Sequence, residues 1–446
     1  MIEIPDAIPG RWLPQPKLCH QKYPNQHIHL YKGFSEIIQG EKVVEGRGLV
    51  SIVWYPSLHI NFQFTHFTVD KINLDEEVEL KLTELKEGNR LKVDCSRSQH
   101  WGGNNKTVIS GYLSEPFAVG DSNNLSSLVF HIPNFWFFNI SNLYSWNDEE
   151  DSEPEVLEGW LDFNGQFVFQ HGNWRIVLAT LDSCFELEEL LETQGGNALT
   201  HVCKLEQVDK STFTLNQARD QIKAFSYYLS FARGLWIAPI LLTGFDAKGN
   251  QVFEEWSKPE IKVDSWQDGY SWTTPDSTDL VAAFPGFMRR WQDEAWKEII
   301  QVSIHWYIES TKQSGGIGAA IVLQQAALER LAWVLLVKEK GGLQSDGFGR
   351  LTATDQIRLL LSQLSIKTEI PCGAINLNQV AKQSNWVDGV QAIVEVRNSV
   401  IHPKVKKTKS ITQSCQIESE ETRYEAWVVG RNYLEICLLK FFDYLN

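Results

Sequence analysis

The feature that most constrains this fold is a change of periodicity near Thr278. Before it, apolar residues come in short β-branched and aromatic runs; after it, they recur at helical spacing. A period of two buries one face of a sheet and a period of 3.6 buries one stripe of a helix, so two kinds of packing are expected in one chain. Upstream, strands are predicted at 27–31, 48–55, 58–68, 90–95, 107–112, 128–132, 165–170, 174–178 and 235–242. Pro56-Ser57 and residues 246–250 read as hairpin turns. Two helices interrupt the strands. One is short and acidic at 185–192; the other covers 215–233, with Ile222, Phe225, Leu229 and Phe231 as its apolar face and Gly234 as its stop. Residues 147–158, crowded with Asp, Glu and Pro, read as a mobile acidic loop.

Downstream, the pattern predicts a helix at 280–310 with Pro285 breaking its first turns, and a second that opens at Gly315-Gly316 and stops at Gly341-Gly342. This second helix is apolar on nearly every side over 317–337, so it belongs in the middle of a bundle. Further helices are expected at 353–364, from about 377 to 401, and at 421–445. The predicted class is α+β. A β-rich N-terminal domain, sandwich or barrel-like and with room for two subdomains, covers 1–275, and an all-α bundle of four to five helices covers 276–446.

Charge divides at nearly the same place. Of the net −15, residues 1–280 hold 22 Lys and Arg against 39 Asp and Glu, a net of −17, whereas residues 281–446 hold 19 against 17, a net of +2. The first part would repel a nucleic acid, which leaves the second as the landing place for a phosphate backbone. With 446 residues, 43% of them hydrophobic, the chain can build more than one core. It shows no internal repeat, signal peptide or run of about eighteen apolar residues, so a cytoplasmic location off the membrane is expected. Its seven cysteines are scattered and never form C-x-x-C, so neither a disulfide framework nor a zinc site is expected, and no metal or cofactor is called for. Eleven of seventeen tryptophans precede residue 280, where they read as packing rather than as a stacking surface for sugars or bases.

The chemistry-bearing segment is Arg397-Asn398-Ser399-Val400-Ile401-His402, followed by Pro403 and by Lys404, Lys406, Lys407 and Lys409. On a helix, residues four apart stack, so Asn398 and His402 share a face and Arg397 reaches the same space from the side. The residue before a proline is pushed out of the α region, which puts His402 at the helix end, where the terminal partial negative charge favours an imidazolium. An Arg followed four to six residues later by His is expected about once by chance, and the adjacent Asn lowers that to about one in fifty. A plain structural account stays open: Arg397 pairs with an acid, Asn398 caps the helix, His402 is a surface residue and the lysines form a solvated loop. His59, His66, His100 and His201 lie in strand or loop context and read as structural.

An all-α C-terminal domain with R-N-x-x-x-H at the end of a late helix resembles the HEPN superfamily of metal-independent ribonucleases, over roughly residues 280–446. The upstream part is similar in layout to the N-terminal domain of ApeA-type anti-phage proteins, including a helix that leads into a Gly-x-Trp hairpin over 229–246. The resemblance implies attack of a ribose 2′-OH on the adjacent phosphorus, leaving a 2′,3′-cyclic phosphate and a 5′-OH. His402 would be general acid or base, Arg397 would hold the charge on phosphorus, and Asn398 would fix the imidazole or a non-bridging oxygen. It also implies a homodimer with two facing motifs, an RNA substrate with tRNA as one candidate, an RNA-facing rim at the four lysines, and an abortive-infection role. The acidic N-terminal region would then be a sensor or regulator that answers a phage product. Glu329, on the apolar second helix, is a further active-site candidate; with Gln325 it could instead form that helix's solvated stripe. Two other readings remain: a catalytically silent HEPN binding module, and a β-domain that binds a ligand while the helices supply dimerisation.

Overall fold

The computed structural model describes residues 21–68, 72–85, 90–101, 105–135, 161–162, 166–181, 184–267, 272–273, 278–402, 417 and 419–445. The chain is α+β and divides into two compact units. The first takes 1–229, 236–268 and 275–281, and the second takes 282–446 with the short segments 230–235 and 269–274. The acidic loop predicted at 147–158 lies outside the described residues.

The first unit begins with a closed antiparallel barrel in the order β1-β2-β3-β6-β5-β4. Its strands are β1 (Ile28–Gln39), β2 (Lys42–Val53), β3 (His59–His66), β4 (Val78–Leu82), β5 (Arg90–Trp101) and β6 (Lys106–Leu113). Alternation places Ile60, Phe62 and Phe64 of β3 inside, each at most 4% exposed. β1 runs far beyond the predicted 27–31. A bulge between His29 and Tyr31 shifts the phase, so that Tyr31, Ser35 and Ile37 continue the buried row that Ile28 starts. That odd step, with Lys32, Gly33 and Glu36 in the same stretch, hides the strand from a period-two reading. Gly111 of β6 packs so closely on the Asp94 backbone of β5 that no side chain fits between them.

An eight-stranded antiparallel sheet follows in the order β7-β14-β13-β8-β12-β11-β10-β9. It comprises β7 (Phe117–Gly120), β8 (Ser127–Pro133), β9 (Leu161–Asp162), β10 (Gln166–His171), β11 (Trp174–Thr180), β12 (Leu199–Gln207), β13 (Ile240–Phe245) and β14 (Gln251–Trp256). Helix α1 (Cys184–Gln194) joins β11 to β12, and α2 (Leu215–Arg233) joins β12 to β13. Val129, Val202 and Ile240 on one face belong to the apolar core that also fills the barrel, while Phe169 packs edge-on against Phe225 and Tyr228 of α2. β12, central and buried on both faces, is absent from the sequence reading because His201, Lys204 and Glu206 interrupt its apolar run. Lys204 and Lys210 both reach the Glu206 carboxylate at 3.0 Å, which removes the cost of the buried charge. The strand predicted at 235–242 begins only at Ile240, because residues 235–239 form the buried connection out of α2.

The second unit is helical: α3 (Thr278–Gln292), α4 (Glu294–Thr311), α5 (Gly316–Trp333) with a π-helical continuation over Val334–Glu339, α6 (Ser345–Gly349), α7 (Ala353–Gln363), α8 (Ile375–Ser384), α9 (Gly389–Ile401) and α10 (Glu420–Phe441). Two predicted helices are in fact pairs. Pro285 sits inside α3 without ending it; the break comes at Asp293, whose carboxylate accepts the Ala295 N–H at 2.9 Å and starts α4. The helix predicted from about 377 to 401 is split by Asn385, in the left-handed region at φ 53°, and by the cap residue Asp388. The stretch Gly316–Glu339 has the length and hydropathy of a membrane span, yet 61% of that window is buried inside the protein, as expected of a central helix.

Two buried histidines of the sheet make the fold sensitive to acid. His131 of β8 pairs with Val202 and Ile240, and neither ring nitrogen has a partner among the described residues. His201 stands edge-on to Phe135. Burial lowers their pKa from 6.5 to about 4 and about 3. Below 6.5 the unfolded chain takes up the proton that the folded chain refuses, so each contribution to stability is complete above that pH and is lost as the pH falls towards the folded value. Going from pH 7.5 to pH 5 should cost about 2 kcal/mol per histidine. Urea midpoints at the two pH values should show that loss, and His131→Leu should remove about half of it; an unchanged pH dependence in the variant would refute the assignment.

Candidate functional site

The motif end of α9 is placed by what holds the helix at its start. Asp388 caps it by accepting the Gln391 N–H at 2.9 Å, and Arg358 of α7 grips the same carboxylate from two sides, Nε at 2.7 Å and Nη2 at 3.1 Å. Val390, Ala392, Ile393, Val394 and Val396 form the buried face. The helix stops at His402, which has left helical geometry at φ −123°, ψ 71° and still donates its N–H to the Asn398 carbonyl at 2.8 Å. His402 is exposed, and Arg397 and Asn398 are half-buried.

Within the motif, Arg397 Nη1 donates to Asn398 Oδ1 at 3.2 Å. The Asn398 side chain is therefore engaged by the arginine, and its link to His402 runs through the backbone rather than through stacked side chains. Among the described residues the partner of Arg397 is that neutral amide, and its buried Nε has no acceptor. Ser399 turns back onto its own helix, donating to the Val396 carbonyl at 2.7 Å. Lys404, Lys406, Lys407 and Lys409 lie outside the described residues.

Helix contacts fix the height of the motif in the bundle. α4 runs antiparallel to α10, with Trp296 on Phe441, Tyr307 Oη donating to Glu435 at 2.6 Å, and Trp427 Nε1 donating to the Ser310 carbonyl at 2.9 Å. α5 turns back from α4 and is parallel to α10, with Gln324 against Gly430. α9 is antiparallel to both, because its first residue Gly389 lies on Tyr433 and Val400 near its end lies on Gly318. At a rise of 1.5 Å per residue, Arg397 is about 12 Å from the Gly389–Tyr433 level, towards the start of α5 and α10. Glu329 lies about 15 Å away along the axis from Arg397, and farther from His402. It accepts a 2.6 Å hydrogen bond from Gln325 Nε2, so within one chain it is part of the α5 polar stripe and not of the motif.

The four histidines read as structural are each hydrogen-bonded close by: His59 to the Ser57 carbonyl, His66 to Thr68, His100 to Thr107 and His201 to Thr200. Among the described residues, no three His, Cys, Asp or Glu side chains stand together as a metal site. The first unit holds a cavity of about 300 Å³ beside α2, lined in part by Arg219, Lys223, Glu255 and Glu260. Its Arg219 is committed to Glu255 at 2.5 Å and its Lys223 approaches Glu260 at 3.6 Å, while Lys258 is a third cation of the lining. The Arg358–Asp388 clamp escaped the sequence reading, for which the split between α8 and α9 was not visible; an Asp two residues before an apolar period was the available signal.

Breaking that clamp should loosen the motif's support. Asp388 is 8% exposed and Arg358 36% at the side chain, so Asp388→Ala should cost about 2 kcal/mol, read as the chemical denaturation midpoint of the bundle. Arg358→Lys, which keeps the charge and loses the fork, should lie between wild type and Asp388→Ala.

Two family descriptions match this chain. That of the YopA central domain matches residues 120–269, the region of the eight-stranded sheet, and that of the YopA C-terminal domain matches residues 293–446, from the cap of α4 onward. No solved structure matches. The chain is similar over most of its length to the SPbeta prophage-derived uncharacterized protein YopA of Bacillus subtilis strain 168, with 23% identity over 435 residues that cover 94% of this chain and 90% of that protein.

Proposed function

We propose that the second unit is an endoribonuclease of the HEPN type and that Arg397, Asn398 and His402 are its active-site residues. The observation that carries this reading is a half-buried guanidinium whose Nε has no acceptor among the described residues, five positions from an exposed imidazole at the open end of α9. In the reaction, the ribose O2′ forms a bond to phosphorus and the P–O5′ bond breaks. One proton leaves the 2′-OH and another is delivered to O5′. Arg397, already oriented by its bond to Asn398, would hold the additional negative charge on the phosphoryl oxygens. His402, outside the helix and open to solvent, can meet either proton.

The wider reading follows from the same resemblance. The substrate is RNA, the working form is a homodimer in the cytoplasm, and the acidic β-rich unit senses a phage product or restrains the nuclease. The four lysines after the motif would supply its RNA-facing rim. A relative carried by a prophage is in keeping with a role in the encounter between phage and host. A silent HEPN module or a ligand-binding β-domain would bind without cutting.

Purified protein incubated with total RNA in EDTA should produce fragments ending in 2′,3′-cyclic phosphate. His402→Ala should lower the rate by about 10²-fold or more. Arg397→Lys should be nearly as inactive, since a point charge cannot replace the planar fork. Cleavage that persists in the His402 variant removes this residue from the mechanism; RNA binding without cleavage favours the silent module.

A further inference from the structure

We propose that Arg423 of α10 is a second phosphate-binding guanidinium, which grips the same RNA backbone as Arg397 from across the motif end of the bundle. The proposal rests on the reading of that end as an RNA site. Counted from the Gly389–Tyr433 contact, Arg397 is eight residues along α9 and Arg423 is ten residues back along antiparallel α10. Their levels therefore differ by about 3 Å. Arg423 precedes Gly430 by seven residues, two helical turns, so it lies on the α10 face that Gly430 presents to Gln324 of α5. The start of α5 at this level is where Gly318 meets Val400 of α9. Arg423 is thus on the side of α10 that faces α5, and the start of α5 in turn meets the last turns of the motif helix.

Its surroundings match those of Arg397. Arg423 is half-buried, and its Nε is out of contact with solvent and without a partner among the described residues, as is that of Arg397. Elsewhere in the bundle, Arg289 meets Asp443 at 2.9 Å, Arg290 meets Glu339 at 3.2 Å and Arg358 meets Asp388 at 2.7 Å. Arg330 and Arg431 also keep a buried Nε without a hydrogen bond, yet each stands by a carboxylate, Glu298 at 3.1 Å and Glu435 at 3.5 Å, which neither Arg397 nor Arg423 has among the described residues. Two guanidiniums at one level, each with an unmet donor, fit the several acceptor oxygens of a phosphodiester, which a single fork cannot satisfy. Arg423 would bind substrate and take no proton.

The test uses the full chain carrying His402→Ala, so that bound RNA is not consumed, and a labelled single-stranded oligoribonucleotide followed by fluorescence anisotropy. Arg423→Ala should weaken binding about tenfold or more and reduce the slope of log affinity against log salt by about one. Arg423→Lys should restore the salt slope and only part of the affinity. Exposed Arg350→Ala is the control expected to bind as the parent does. If Arg423→Ala melts early, the lysine variant carries the test, and full affinity in it at every salt concentration would overturn the proposal. Unchanged binding by a folded Arg423→Ala, or no measurable binding by the parent, would also overturn it. Cleavage is scored separately with His402 intact. Binding that depends on Arg423 without cleavage by the wild type would keep the phosphate site and remove the nuclease reading; cleavage that needs His402 and ignores Arg423 would do the reverse.

Discussion

Three glycines decide where the motif stands. Gly389 of α9 touches Tyr433, Gly318 of α5 touches Val400, and Gly430 of α10 touches Gln324; a methyl group on Gly318 would already sit 3.0 Å from Val400 Cγ1. Glycine inside a helix costs about 1 kcal/mol relative to alanine, so Gly430, in the middle of α10, is a local weakness that close packing must offset. What the packing secures is register. With α5, α9 and α10 drawn together at two levels, α9 can neither slide nor rotate, and its last turn is presented at the end where α5 and α10 begin. The partial charges of the helix ends agree with this arrangement, since antiparallel neighbours set the negative end of α9 beside the positive end of α5.

The interior of the same bundle shows how this chain treats buried polar groups when they have no external business. Glu435 is 8% exposed, burial pushes its carboxyl pKa up, and it is met by the Tyr307 hydroxyl at 2.6 Å and by Arg431 at 3.5 Å. In the first unit Glu206 is met by two lysines in a similar way. Arg431 and Arg330 keep buried donors without a hydrogen bond too, but each lies beside a carboxylate. A buried, unmet arginine donor with no acid beside it among the described residues is informative, because an unsatisfied buried donor costs about 1–3 kcal/mol. Arg397 and Arg423 bear that cost at one end of the bundle, at the same height as the exposed imidazole's own helix turn. A ligand with acceptor oxygens would remove it.

Much of this was legible in the sequence, for identifiable reasons. The switch from strands to helices near Thr278 needed only periodicity, and the helical stop at Gly234 needed only the left-handed preference of glycine, which it meets at φ 70°. His402 ends its helix as the following proline demanded. What was hidden were features in which tertiary contacts overrule local pattern: the bulge that carries β1 past Tyr31, the polar central strand β12, and the break at Asn385 that turned one long helix into α8 and α9. Glu329 was placed by chemistry and misplaced by geometry, because sequence shows that a carboxylate lies on α5 but not how many turns separate it from the end that α9 reaches. Arg423 was invisible for the opposite reason. Nothing in the local pattern of α10 distinguishes it from a solvated arginine, and only the antiparallel register with α9 brings it level with Arg397.

That register also bears on the proposed chemistry of proton transfer. Transesterification requires one proton to leave O2′ and another to arrive at O5′, on opposite sides of the phosphorus, and one imidazole cannot face both at once. Each chain brings His402 to the open end of α9, where Ile401 and Tyr424 also expose apolar surface, 39% each. A second imidazole on the far side of the phosphate would have to come from another copy of the same end, related by a two-fold axis. Two Arg397 and two Arg423 side chains would then surround one scissile phosphate or two adjacent ones. If the proposed reaction is the right one, it is the reaction more than the fold that would call for a dimer: one bundle would contribute phosphate donors and half of the proton traffic, and symmetry would contribute the rest.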